Sequence, residues 1–425
     1  MASLLIDHLG QLPGGPDWLA LQRADAALRL RERGLPHAKV ESWRNTPVKA
    51  VTGEAWSGAP LAPVPEWARA RFAGDQTERV YVVNGRPVLD GVVPRVGVEL
   101  QPLAEALGDP AVQAALGRVA GADHFAGLNA ALWTDGLLVR IGPGVRLERP
   151  LHVVHVAVAG ASPTVAYPRL LVLAGAGSRA VLVDSYLAEA GKQLANAVTE
   201  IVLDDDARLE HVRVQAGGAG SHHVGTVAVR MQRDSRYLSR VVSLGGSFCR
   251  VDLGVTLQGS GAECQLDGVY HAGDRELVDH HTVVEHAVPH TASAEVYRGI
   301  ADGTGHAVFD GTVYIRRDAK GTAAHQENRN LLMSAGAVVH TKPHLEIDAD
   351  DVVASHGATV GALDDAQLFY LRARGVGAEQ ARAVLTWAFV ASVLERISHE
   401  PLRAELGAAL RARLPHGDTI EELLA

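Results

Sequence analysis

The chain has 425 residues, of which 47% are hydrophobic and 21% are charged, and its formal net charge is −9. This composition excludes wholesale disorder, and the length exceeds what one compact core usually holds, so two or three structural units are expected. The acidic balance, without a long run of Lys or Arg, gives no support for binding to nucleic acid or to a membrane surface.

The N-terminus and the cysteine count favour a cytoplasmic protein. The first residues, MASLLIDHLGQLPGG, have no basic segment and too short an apolar run for a signal peptide. The longest apolar stretches, such as the one from Leu151, are far below the roughly 20 residues that span a bilayer. With only Cys249 and Cys264, the chain can form neither a disulfide framework nor a cysteine-built metal cage.

The first zone of the chain mixes helical patterns with loops. PDWLALQRADAALRLRERG, from Pro16, has apolar residues at helical spacing and predicts a helix that ends at Gly34. LPHAKVESWRNTPV follows as an ordered loop, and a second helix is predicted near Leu103 to Val119. We therefore assign residues 1–124 to an N-terminal helical domain.

The second zone, residues 125–361, consists of short β-branched runs separated by Gly, Asp and Ser. One phrase recurs, a turn rich in Gly or Asp followed by alternating apolar positions, as in GAGSRAVLV, DDDARLEHV, GSGAECQLDG and ADDVVASHG. Early copies are about 29 residues apart and late ones about half of that, which indicates coils with two similar sides. The pattern favours a parallel β-helix over a β-sandwich, the alternative with equally frequent turns.

The third zone, residues 362–425, is predicted to be a C-terminal helical domain. AEQARAVLTWAFVASVLERISHEP has helical periodicity, and we expect Pro401 to close this helix.

Common catalytic motifs are missing from the sequence. It has no G-x-x-x-x-G-K-[ST] phosphate loop, no G-x-S-x-G elbow, no H-E-x-x-H and no C-x-x-C. These absences make a conventional enzyme the less favoured interpretation.

Most of the 20 histidines do not have metal-ligand spacing. His286 and His290, like His340 and His344, are four residues apart, but in a strand that spacing separates two side chains by about 13 Å. Adjacent histidines, such as His280 and its neighbour at 281, point to opposite faces of a strand. We interpret these rings as surface or hydrogen-bonded structural histidines.

A polar face is predicted on the strand near residue 344. His340, Lys342, His344 and Glu346 alternate with apolar residues, and Pro343 removes one backbone donor, which is tolerated in an edge strand. Such a face is either a solvated rim or a surface that pairs with a partner.

His356 differs from the other histidines because its neighbours on one strand face are small and apolar. They include Ala354, Ala358 and Val360. Two interpretations stay open: a core histidine that is satisfied by a backbone carbonyl, or a ligand of a soft metal or an iron–sulfur cluster. A cysteine at position 354 could share a cluster with His356, but this chain has alanine there.

Several blocks resemble the SufB/SufD family of iron–sulfur cluster assembly proteins, and its SufD branch most of all. They are KPHLEIDADDVVASHGATVGALDDAQLFYLRARG, EVYRGIADGTGHAVFDGTVYI, AHQENRNLLMS and LPHAKVESWRNTPV. The resemblance covers essentially the whole chain. The S-H-G-A-T form of the C-terminal motif, the length and the N-terminal loop favour SufD, since SufB usually reads Cys-x-His there.

The resemblance implies a mostly β protein, with a right-handed β-helix between two helical domains. It also implies a cytoplasmic, non-catalytic scaffold that works with SufB and the SufC ATPase, and a homodimer is possible when the chain is alone. His356 would hold a nascent iron–sulfur cluster together with the partner. The strand with His340, Lys342, His344 and Glu346 would pair with SufB.

The C-terminal helices, from about Phe369 to Ile397 and including Tyr370 and Arg374, would dock SufC. Whether a flavin is bound stays open.

Two other functions are compatible with a β-helix. One is a carbohydrate-active enzyme, whose paired acids would come from Asp302, Asp310 and Asp318 in turns. The other is a structural homo-oligomer that associates through its edge strands.

Overall fold

The computed structural model describes residues 4–93, 95–121, 124–415, 417 and 420. Its centre is a parallel β-solenoid of about eight turns, flanked by N-terminal and C-terminal helices, which confirms the predicted fold class. The helices are α1 (Asp17–Arg33), α2 (Lys49–Thr52), α3 (Glu66–Ala70), α4 (Pro110–Ala115), α5 (His124–Leu132), α6 (Asp365–Ala373), α7 (Ala378–Leu394) and α8 (Glu400–Arg411).

The first strands of the chain join the start of the solenoid. They are β1 (Ser57–Gly58), β2 (Glu78–Val83), β3 (Arg86–Val88), β4 (Val98–Pro102), β5 (Leu137–Ile141), β6 (Leu151–Ala157), β7 (Thr164–Ala166) and β8 (Arg169–Ala174). The coils continue through β9 (Arg179–Ala188), β10 (Gln193–Leu203), β11 (Arg208–Gly217), β12 (His222–Met231), β13 (Arg236–Leu244), β14 (Phe248–Leu257) and β15 (Glu263–Ala272). The last strands are β16 (Leu277–His286), β17 (Ala292–Ala301), β18 (His306–Ile315), β19 (Ala323–Leu332), β20 (Val338–Ile347) and β21 (Val353–Gly361).

Successive strands from β9 onward alternate between two sheets. The first sheet has the order β20-β18-β16-β14-β12-β10-β8-β5-β4, with β7 beside β10 and β1 beside β7. The second sheet has the order β21-β19-β17-β15-β13-β11-β9-β6-β2-β3. All pairs between neighbouring coils are parallel and in register, so each residue stacks on an equivalent residue of the preceding coil.

The recurring Gly/Asp phrase has a backbone cause. Two residues before each strand of the second sheet from β9 on, the chain adopts a positive φ, which glycine takes freely and Asp or Asn tolerates better than most residues. The residues at this turn position are Gly177, Asp206, Asp234, Gly261, His290, Gly321 and Asp351. The repeat in the sequence therefore marks one turn per coil.

Three apolar layers hold the molecule together. The main core fills the space between the two sheets, where alternate residues of every strand point inward. Helices α7 and α8 pack on the outer face of the second sheet, and N-terminal segments with α1 and α5 pack on the first. Among the described residues, no helix has the length and apolar character needed to cross a bilayer.

Several predicted boundaries differ from the structure. The helix from Pro16 is confirmed as α1, but only residues 110–115 of the second predicted helix are helical, and β2 to β4 lie in the zone read as helix and loop. Helix α5 occupies a segment predicted as strand, where almost every side chain is buried and no amphipathic period is visible. Pro401 lies in the first turn of α8 and does not close α7. The three domain limits stay a prediction.

A charged network lies inside the apolar solenoid. Asp184 is fully buried, with the Arg213 guanidinium at 2.7 Å and the His155 ring at 3.0 Å. Burial alone would raise the pKa of Asp184, but Arg213, His155 and His211 hold it well below its usual range. The buried charges of Asp184 and Arg213 stabilise the fold only while both are present, because either one alone would be buried without its partner.

We expect Arg213→Met to lower the free energy of unfolding by about 3–5 kcal/mol, because it removes the arginine cation that pairs with the buried Asp184 carboxylate. Urea denaturation followed by circular dichroism measures this loss. The double variant Asp184→Asn/Arg213→Met is the control, and it should lose clearly less than the single variant. A loss below about 1 kcal/mol for Arg213→Met would show that the pair contributes little.

Candidate docking and ligand site at the open end of the solenoid

Both sheets end on the same side of the molecule, at β20 and β21. Among the described residues, β20 pairs in its ladder only with β18, and β21 only with β19. Strand β21 is exposed along most of its length. The free edges present unpaired backbone N–H and C=O groups, to which another strand can add.

The apolar core of the solenoid continues up to this end without being closed. Val339 and Leu345 of β20 stack in register on buried Ala307 and Val313, and Ala354 of β21 packs against the same core. All three are only partly buried. Apolar surface of this kind is what a further coil or a partner would cover.

The polar residues predicted to share one face of β20 do so. His340, Lys342, His344 and Glu346 alternate with the inward-facing residues of the strand. The Lys342 ammonium lies 2.7 Å from the Glu41 carboxylate of the N-terminal loop. The structure thus attaches that loop to the edge strand, while the part that these residues play in an interface stays a prediction.

His356 is exposed, so the interpretation as a core histidine is wrong for this chain. It stands in register with Gln326 of β19, which is completely buried. The alternation in the sequence correctly places His356 on the inward-facing side of β21. The imidazole is nevertheless exposed because β21 is the last strand of its sheet and no further coil lies above it.

The exposed His356 ring is available to bind a ligand. Among the described residues, no side chain or backbone group hydrogen-bonds to the His356 ring. In that same part of the chain, no three His, Cys, Asp or Glu side chains converge as a metal site. Cys249 and Cys264 are buried, and burial raises the pKa of the Cys249 thiol to about 12, which disfavours the thiolate that binds metals. Among the described residues, His356 therefore has no neighbouring side chains that could complete a metal site around it.

Four further histidines, at positions 280, 281, 286 and 290, have structural positions. His280 points inward, 3.2 Å from the Ser243 hydroxyl, and burial lowers its pKa to about 4. His281 points outward. His286 is buried with both ring nitrogens near hydroxyls, and His290 occupies a left-handed turn position.

The three aspartates suggested for carbohydrate chemistry are not paired. Asp302 and Asp318 lie in turns before and after β18, whereas Asp310, expected in a turn, lies within the strand. At about 3.3 Å per residue, Asp310 is separated along the strand from either turn by at least about 13 Å. This exceeds the spacing that glycoside hydrolysis needs.

Tyr370 lies on α6 and Arg374 directly follows this helix, and with Phe369 they form an exposed surface that we call the α6 patch. The side chains of Phe369 and Tyr370 are 74% and 56% exposed. The Arg374 guanidinium sits 4.4 Å from the Tyr370 ring centroid. An exposed aromatic pair with a neighbouring cation is typical of a protein interface.

The contacts of the N-terminal loop could not be predicted from the sequence. Trp43 is buried against the first sheet, with the Arg250 guanidinium 3.7 Å from its ring. The Thr46 hydroxyl donates to the Asp279 carboxylate at 2.5 Å. Burial alone would raise the pKa of Asp279, but His281 and Arg250 hold it well below its usual range. The sequence predicted an ordered loop, but the residues that the loop contacts lie more than 200 positions further along the chain.

Several known proteins with similar sequences are described as iron–sulfur cluster assembly proteins. A sequence model of the family described as "SUF system FeS cluster assembly, SufBD core domain" matches residues 156–389. The chain is 32% identical over 302 residues to an iron–sulfur cluster assembly SufBD family protein of Synechocystis, covering 69% of this chain and 67% of the relative.

Two further relatives align over almost their whole length. The iron–sulfur cluster assembly protein SufD of Escherichia coli is 29% identical over 395 residues, with 92% of each chain covered. A SufBD family protein of Mycobacterium tuberculosis is 31% identical over 401 residues, with 91% of each chain covered. The similarity therefore includes the segments before and after the solenoid.

Proposed function

Because the chain belongs to the SufB/SufD family and has a role in iron–sulfur cluster assembly, we propose that it is the SufD-type, non-catalytic scaffold subunit of a cytoplasmic SUF complex. In this complex it works with SufB and with the SufC ATPase. The observation that supports this most strongly is the open end of the solenoid, where an exposed histidine stands beside two free strand edges.

The open end docks the solenoid of SufB. Backbone groups of β20 and β21 extend both sheets into the partner, which satisfies their free donors and acceptors. The inward-facing Val339 and Leu345 then become buried in a continuous core. The outward row of His340, Lys342, His344 and Glu346 borders the junction and sets its charge pattern.

His356 provides one ligand to the nascent cluster, which is the cargo of the complex. Position 354, two residues earlier on the same strand face, is alanine and cannot supply a thiolate. The soft ligands that iron–sulfur clusters prefer therefore come from the partner. The site is complete only at the junction of the two subunits.

The α6 patch docks the ATPase subunit. Phe369 and Tyr370 provide the apolar contact, and Arg374 provides a cation that is held over the Tyr370 ring. Aromatic and Arg side chains contribute most to interface affinity. ATP hydrolysis by that subunit reaches the scaffold through the C-terminal helices, which pack on the outer face of the second sheet.

Deleting the coding sequence from its host tests the proposed function. We expect the activities of cluster-dependent enzymes to fall and a plasmid-borne copy of this chain to restore them. Enzymes that need no iron–sulfur cluster serve as the control and should keep their activities. Unchanged activities of the cluster-dependent enzymes in a host without another assembly system would contradict the proposal.

A further inference from the structure

Four arginines form a row on the outer face of the second sheet. Arg179, Arg208 and Arg236 are the first residues of β9, β11 and β13 and stand directly opposite one another. Arg146 of the preceding coil is bridged to Arg179 and extends the row. At about 4.8 Å between neighbouring strands, the row places four cations along about 14 Å. Among the described residues, only Arg236 of the four has a counter-charge in the next coil, Glu263 at 3.4 Å.

The other three cations are not neutralised within the described residues. None of Arg146, Arg179 and Arg208 forms an ion pair there, and the Nε atom of Arg208 is buried without a hydrogen-bond partner. Arg146 and Arg208 lower the pKa of Arg179, and the opposing effect of Asp206 is smaller. Like charges directly opposite in a sheet destabilise it. An external anion bound to the row would reduce this repulsion.

Three arginines of the row, Arg179, Arg208 and Arg236, line one end of a long groove. The groove has a volume of about 840 Å³ and follows the outer face of the second sheet from β9 to β21. Beyond the arginines, its floor is formed by small apolar side chains, among them Ala292, Ala294 and Ala323. It ends at Ser355 on the edge strand of the open end. One end is therefore cationic, and the other is lined mainly by small side chains.

The carboxylates in the groove are already engaged. Glu210 accepts a hydrogen bond from the Ser398 backbone N–H, 2.9 Å away, which places the linker between α7 and α8 beside the groove. Glu263 faces Arg236. The excess charge available to a ligand at the β9 end is thus positive, although the whole chain has a net charge of −9.

We propose that this groove binds an extended acidic peptide segment of a partner protein. The Asp or Glu side chains of the peptide lie on the arginine row, which can hold carboxylates through paired N–H donors. Small apolar side chains of the peptide lie on the alanine residues of the groove floor, toward β21. Seven strands at about 4.8 Å span about 29 Å, the length of about nine extended residues.

The lining of the groove favours a peptide over a nucleic acid. Its lining residues include no Phe, Tyr or Trp, whereas single-stranded nucleic acids are held mainly by stacking on aromatic rings beside a cationic track. The proposal does not depend on docking at the open end. The chain alone can therefore be tested, whatever the outcome for the proposed function.

Fluorescence anisotropy with a labelled synthetic peptide tests the proposal on the full chain. The probe has about nine residues, the first half Asp and Glu and the second half Ala and Val. We expect saturable binding that weakens as salt is raised, since exposed charge pairs are screened. Arg179→Glu/Arg208→Glu should weaken binding at least tenfold.

The matched control is Arg275→Glu/Arg317→Glu, which makes the same change in charge at exposed turn residues outside the groove. It should change the affinity less than twofold, and a peptide with Ser in place of Asp and Glu should not bind. Absence of binding, or equal weakening by both double variants, overturns the proposal. Tighter binding of a single-stranded oligonucleotide than of the peptide also overturns it, in favour of a nucleic-acid site.

Discussion

The His356→Ala chain should fold and enter its complex normally, but it should lower the yield of assembled cluster by about tenfold or more. The imidazole is exposed and has no hydrogen-bond partner among the described residues, so removing it costs the fold little. Loss of even an outer-shell partner of a metal ligand lowers metal affinity by about 10–100-fold, and loss of a ligand should cost at least as much. Iron and acid-labile sulfide, measured per purified complex, give the yield.

Two variants separate ligation from a general effect at the open end. His325→Ala removes the same ring from the outward face of β19, the strand beside β21, and should leave the cluster content within about twofold, since it offers no inward ligand. His356→Cys supplies a different iron ligand at the same position and should restore part of the yield. If His356→Ala complexes held as much iron and sulfide as the unmodified complex, His356 would not be a ligand.

Leu345→Asp should prevent the chain from joining a partner solenoid. Leu345 continues the main core at its open end, and burying a leucine side chain contributes about 1.5–3 kcal/mol. The new carboxylate would also have to be desolvated in the junction. We therefore expect the dissociation constant of the complex to rise more than about 100-fold, which analytical ultracentrifugation measures.

The control for Leu345→Asp is Leu21→Asp, which introduces the same charge at a leucine that is 72% exposed on α1. It should leave the affinity unchanged. The unfolding temperature of each variant shows whether the fold is intact. A folded Leu345→Asp chain that still formed the complex with normal affinity would exclude the open core as the docking surface.

The solenoid and its last strand could be predicted from the sequence because both depend on local patterns. A left-handed turn residue occurs once per coil, and Gly and Asp mark it visibly. Alternation in β20 places Lys342 outward, and Pro343 indicates an edge strand. Helix α5 gave no such signal, since a helix that is buried almost all round has no amphipathic period.

The exposure of His356, the buried ion pair and the arginine row could not be predicted, because they depend on how neighbouring coils stack. The period of β21 places His356 on the inward side, but only the number of coils shows that nothing covers it. Asp184 and Arg213 are 29 positions apart and meet only because each coil returns the chain to the same register. The row of Arg179 and Arg208 becomes visible for the same reason once the coils are aligned.

The most direct test is native mass spectrometry after co-expression of this chain with SufB-like and SufC-like subunits. The result expected is one stable complex that contains all three proteins, with this chain bound through its open end. Crosslinks between β20 or β21 and the solenoid of the SufB-like subunit would locate the contact. Recovery of this chain alone, or only as a homodimer, while the other two proteins associate without it, would contradict the proposed role as a scaffold subunit.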